Sequence, residues 1–240
     1  MTHDSQLSAA HAQQANTLLR VMGTVYAMIA DGSGPLAGSL QRGLDLLHMG
    51  VRPDQVTCQL IQTQAALSAD AGLPSVVGAD LSQPLPLSDR ASGHVYLQLQ
   101  TAASVARIYG FDLDQGPVRS LCFFALCPDM ADDDLLRMAG LDPDTHTPTA
   151  LVTYASDAVL HHMDRYLARR LLAGFAYQDQ LDNPYSRVPG ARTGGTFDGA
   201  ATHAAGQKAQ QVFQTGVAAP TRGATSGTPV AVLHDSIYHA

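Results

Sequence analysis

"SDRASGHVYLQLQTAASVARIYG" (residues 88–110) decides the fold class. Val95, Leu99, Ala102, Ala106 and Tyr109 follow steps of four, three, four and three, which lays one apolar stripe along a helix. Ser88 or Asp89 supplies an N-cap, and Gly110 supplies a stop. The local alternation of "HVYLQLQ" is a strand pattern, but it is shorter than the helical one and yields to it.

Working outward, the same helical spacing recurs near 5–30, 36–49, 53–70, 117–127, 131–139, 148–176 and 197–214. Pro53, Pro117 and Pro148 suit first-turn positions, and Asp132, Asp133 and Asp134 suit the positive end of a helix. Glycine and proline mark joints at 31–35, 71–89, 110–117 and 182–190. Strand character is confined to "TPVAVLHDSIY" (228–238). The expectation is an all-α, multi-helix globular bundle over residues 1–214, with a flexible C-terminal tail over 215–240.

Composition bounds function. The 240 residues carry a net charge of −7 and no basic cluster stands out in the sequence, so no nucleic-acid partner is expected. Every acidic residue is Asp, and every cation but Lys208 is Arg. Helices here therefore lack Glu–Lys pairs and Glu capping boxes, and must rest on Ala, Leu, Gln and buried faces. Cys58, Cys122 and Cys127 form no C-x-x-C, which points to reduced thiols and a cytoplasmic setting. The start "MTHDSQLSAA" lacks the pattern of a secretory signal. The apolar runs at 21–30 and 121–127 fall well short of the about 20 residues a spanning helix needs, which leaves contact with a membrane surface open.

"VPGARTGGTFDGAATHAAGQKAQQVF" (188–213) brings glycines close to the one lysine, but not as a phosphate loop. Gln207 stands where that loop needs its lysine, and Ala209 follows Lys208 where Ser or Thr is needed, so no nucleotide is expected. Gly195, Gly199 and Gly206, at spacings of four and seven, instead read as a face on which another helix backbone lies close.

The stretch from "ADLSQPLPLSD" through "VARIYGFD" to "LCFFALC" (79–127) resembles the core signature of the EcsC family. That signature is a proline-rich approach, an aspartate, a helix with a Q-L motif, an I-A-x-x-Y-G-x-D end and a short apolar helix. Asp89, Tyr109, Gly110 and Asp112 take the matching positions. Pro189, Gly190, Gly194, Gly195, Asp198, Thr202, Gly206 and Phe213 take those of the family's C-terminal pattern. The likeness spans roughly residues 18–214. It departs from the family at the polar "SADAGLPSVVGAD" (68–80), at Gln100 and at "HHMDR" (161–165). The resemblance implies a helical accessory or scaffold protein without an established reaction, peripheral to the inner face of the membrane and linked to an ABC transporter or secretion process. A protein partner or a membrane surface follows as the expected contact, with no cofactor.

Two other function classes are open. Asp89, Asp198 and Thr202 could form a hydrolase site, with Asp198 as base and Thr202 or a water as nucleophile; as caps, both aspartates would stabilise helix starts instead. Asp157, His161 and Asp164, at i, i+4 and i+7, could hold a divalent metal; otherwise they form a solvated face with Asp164 paired to Arg165 or an adjacent arginine. A lipid-binding helical module is the third class and requires an exposed apolar face or groove. "YGFDLD" (109–114) is a helix-closing turn rather than a calcium loop, and "LCFFALC" a core helix rather than a lipid anchor.

Overall fold

The computed structural model describes residues 2–34, 37–70, 89–181 and 193–218, and these contain nine α-helices and no strand. They are α1 (Thr2–Ala30), α2 (Ala37–His48), α3 (Pro53–Ala69), α4 (Asp89–Ile108), α5 (Gly116–Ala125), α6 (Asp132–Met138), α7 (Leu151–Tyr154), α8 (Asp157–Leu181) and α9 (Thr193–Ala218). The joints at 71–88 and 182–190, with Pro189 and Gly190, and the strand-like run at 228–238 lie outside the described residues.

Helix α4 is the axis of the bundle. It packs against α1, α2, α3, α5 and α9, and every residue from Ser92 to Ala106 is buried. The expected single stripe of Val95, Leu99, Ala102 and Ala106 is buried, but so are the flanks that the stripe assigned to solvent. The polar flanks tolerate this because they bond along their own helix. Tyr96 donates its hydroxyl proton to Gln100 Oε1 (3.2 Å), Gln100 Nε2 donates to Ser104 Oγ (3.4 Å), and Thr101 Oγ1 donates to the Leu97 carbonyl (2.7 Å). A polar group carried inside with its own partner avoids most of the desolvation cost.

The "YGFD" corner ends this axis. Gly110 has φ +85°, the left-handed conformation of a helix C-cap, and the Phe111 N–H reaches back to the Ala106 carbonyl. Asp112 accepts the Asp114 N–H, and Tyr109 donates to Asp54 Oδ1 (2.9 Å) in the first turn of α3. These residues are the corner joining α4 to α5 and α3.

Helix α1 lays Leu18, Met22, Val25, Tyr26 and Ile29 onto the core, and Leu121 to Ala125 of α5 are fully enclosed. Among the described residues no helix is long and apolar enough to cross a membrane. Pro53 opens α3 and Pro148 a single 3-10 turn, as expected from their fixed φ.

Two helices differ from expectation at several boundaries, α8 running to Leu181 past the expected 176 and α9 starting at Thr193 before the expected 197. The single helix expected over 148–176 is broken: Ala155 turns to φ −78°, ψ 131°, and α8 restarts beyond it, with the Ser156 carbonyl accepting the Leu160 N–H. Ser and Asp at 156 and 157 favour such a restart because their side chains compete for free backbone groups. Helix α9 also continues to Ala218, past the expected end at 214, with Gly216 pressed against Thr149 and Phe111.

Candidate functional site

The glycines of α9 set the geometry of the site. A Cβ on Gly199 would lie 2.9 Å from the Ala65 carbonyl oxygen, and one on Gly206 would lie 2.7 Å from Ile61 Cγ1 and 3.1 Å from Thr101 Cγ2. Hydrogen in place of a methyl at both positions lets α9 lie directly on α3, as the glycine spacing predicts. Gly194 and Gly195 lie in the first turn of α9, and the side-chain packing around them lies outside what is described.

Thr202 shares this face, between the two glycines, and the close approach places its hydroxyl on α3. Thr202 Oγ1 donates to Ser68 Oγ (2.8 Å), and Ser68 Oγ lies 3.0 Å from His94 Nδ1 on α4. The Ser68 hydroxyl accepts the Thr202 proton, and which of Ser68 and Nδ1 donates in the second contact depends on the imidazole tautomer. A hydroxyl at this distance from an imidazole is the pairing used to activate a nucleophile. All three side chains are buried, however, and the same relay ties the C-terminal end of α3 to the first halves of α4 and α9. Asp89 opens α4 and Asp198 lies in the first turns of α9, but the side chains of both lie outside the described residues.

The metal candidates are separated. Asp157 and His161 are exposed on α8, while Asp164 turns inward at 2% exposure and pairs with Arg119 of α5 (3.1 Å) rather than with Arg165. The helical wheel put the three residues on one face; Asp164 sits at the edge of that arc, where the neighbouring α5 offers a guanidinium. Burial pushes the Asp164 carboxyl above its ordinary range, and Ser120, Arg119 and His161 pull it back in part. Among the described residues no group of three His, Cys or Asp side chains is placed to hold a metal ion.

Lys208 lies two residues beyond Gly206, about half a turn round α9, and is buried. Its Nζ donates to Asp132 Oδ1 (2.6 Å) and to the Met130 carbonyl (3.0 Å), and stands 4.6 Å from the centre of the Phe124 ring. It locks α9 to the turn between α5 and α6, a structural role in place of a phosphate contact. A groove of about 80 Å³ between α2 and α3 is lined by Arg42, Gly43, Leu60 and Gln64, with Gln64 donating to Ser39 (3.0 Å). That is well below the roughly 300 Å³ at which ligand pockets begin.

No family model, curated protein or solved structure matches this chain. The site is therefore read from its own chemistry. Sequence reasoning singled out Thr202 but missed Ser68 and His94, whose partners stand 134 and 26 residues away. The signal available for Lys208 was a lone lysine among the helix-face positions Ala205, Ala209 and Val212, all buried.

Proposed function

We propose that this chain is a non-enzymatic accessory or scaffold domain of the EcsC type, acting through its surface beside a transporter or secretion apparatus at the inner face of the membrane. The observation that supports this reading is the enclosed α4, buried from Ser92 to Ala106, whose Tyr96, Gln100 and Ser104 side chains bond to one another and whose His94 bonds to α3. The interior is committed to holding helices together. The large apolar side chains that reach solvent among the described residues, Met49, Tyr154 and Tyr166, stand on three separate segments of the chain, the turn after α2, α7 and α8. That favours a docking surface over the lipid-burying module.

A second reading, a hydrolase, is favoured by the 3.0 Å contact between Ser68 and His94. One experiment separates the two. The purified chain is offered a serine-directed fluorophosphonate probe and generic ester, phosphate and peptide substrates, and is also recovered from solubilised membranes under mild conditions. The scaffold reading expects no labelling or turnover and a transporter subunit recovered at fixed stoichiometry. Turnover that Ser68→Ala abolishes in a folded protein overturns it.

A further inference from the structure

The outer face of α8 is basic, although the chain as a whole carries a net charge of −7. Helix α8 lies at the outside of the bundle, packed on α1, α5 and α6. Its inner face is Leu160, Met163, Asp164, Leu167, Ala168 and Leu171, all buried. Its outer face presents His161, His162, Arg165, Tyr166 and Arg169, all exposed. The sequence "HHMDRYLARR" (161–170) contains one carboxylate, and that carboxylate points inward to Arg119. Arg170, at the edge, is held by Asp129, whereas Arg165 and Arg169 form no ion pair among the described residues. Inward rotation of Asp164 thus leaves two neighbouring arginines on the outer arc, about 6 Å apart along the axis, without an acid between them.

We propose that this face docks the domain onto a membrane surface rich in anionic lipid headgroups, with Arg165 and Arg169 as the charge contacts and Tyr166 among the headgroups. The inference rests on the reading of the chain as a surface-acting accessory domain. The charges complement lipid phosphates and carboxylates. Among the described residues the face also lacks the apolar anchors around which a protein interface is built, since Tyr166, 41% exposed, is the one large exposed apolar side chain described on α8. A headgroup layer needs no such anchor, and tyrosine sits well at its depth. Two basic residues near an anionic leaflet strengthen binding on the order of 30-fold, an effect that fades with salt.

The test is flotation of the full chain with vesicles of phosphatidylcholine alone and with about 30% phosphatidylserine, at about 50 mM and 500 mM NaCl, conditions that span weak and strong screening. The wild type is expected to float with the anionic vesicles at low salt and to sink at high salt. Arg165→Ala/Arg169→Ala, two changes at exposed positions, is expected to lose about tenfold or more in partitioning. Arg42→Ala/Arg52→Ala removes the same charge from another face and is expected to keep wild-type partitioning. The proposal is overturned if the wild type ignores anionic vesicles, if the α8 double variant floats as well as wild type, or if the control pair falls as far. It is also overturned if soluble polyaspartate binds this face in an Arg165- and Arg169-dependent way while vesicles do not. Recovery of a transporter subunit by the same α8 variant is read separately: flotation lost in wild type with recovery intact sinks the docking face alone, whereas Ser68-dependent turnover sinks the scaffold reading beneath it.

Discussion

Replacing Lys208 by methionine tests how the corner between α5, α6 and α9 is held. The ammonium has three N–H bonds and three acceptors around it: Asp132 Oδ1 at 2.6 Å, the Met130 carbonyl at 3.0 Å and the face of Phe124 at 4.6 Å. A charge-assisted hydrogen bond to a buried carbonyl contributes about 1.5–3 kcal/mol, and a desolvated cation–π contact adds about 1 kcal/mol. Asp132 keeps a quarter of its side chain in water, so its ion pair adds less than a fully buried one. Methionine fills nearly the same volume and relieves the cost of desolvating a cation, which offsets part of the loss. The net expectation is a destabilisation of about 2–3 kcal/mol, or roughly 4–12 °C in Tm for a domain of this size. Chemical denaturation gives the free energy, and pairing Lys208→Met with Asp132→Asn in a double-mutant cycle isolates the shared term. Lys208→Arg is expected to recover less than half, because a planar guanidinium cannot direct its protons at three acceptors set around a compact ammonium. A methionine variant within 0.5 kcal/mol of wild type, about the scatter of neutral surface changes, would refute the reasoning.

The glycine face makes a paired prediction: Gly206→Ala, whose Cβ meets Ile61 Cγ1 at 2.7 Å, should destabilise by about 1–3 kcal/mol, whereas Gly174→Ala on α8, with open space around its Cβ, should stabilise by about 0.5–1 kcal/mol, both read by denaturant unfolding. The Asp164 carboxyl is raised above its ordinary value of 3.8 in the folded chain, so the native state holds this proton more tightly than the unfolded state does. Its contribution is complete below that value and is lost as pH rises through the folded pKa; wild type should therefore lose ground to Asp164→Asn as pH rises above that value, and a pH-independent gap between the two would contradict the assignment. Among the thiols, exposed Cys58 should react with an aromatic disulfide in the native protein. Burial raises the Cys122 thiol and pushes Cys127 up to about 12, leaving Cys127 on the order of 10³-fold less thiolate near pH 8 than a free cysteine, so release of more than one equivalent without denaturant would show the core to be open.

What the sequence made legible was local. The 95–109 periodicity and Gly110 located α4 and its end, and the spacing of Gly199 and Gly206 located the close approach of α9. The all-round burial of α4 was hidden by Gln98, Gln100, Thr101 and Ser104, whose polarity reads as solvent exposure. Bonds within the helix and packing on all sides override that reading, and neither partner helices nor their distance is written in the local pattern. Asp164 shows the same limit on a smaller scale. Its spacing from Asp157 and His161 is a property of one helix, while its direction depends on Arg119 of another. The Ser68–His94–Thr202 relay is assembled by three helices from distant parts of the chain, so no window of sequence contains it.

Lys208 has one more consequence. It is the chain's single side-chain amine, and the fold encloses it. Acylating reagents, aldehydes and lysine-modifying enzymes therefore meet no side-chain amine until α9 lifts away from the turn at Met130, and any modification at Lys208 records an opening of that corner. The rate of that reaction, followed on the peptide that carries Lys208, is a built-in clock for this joint of the bundle.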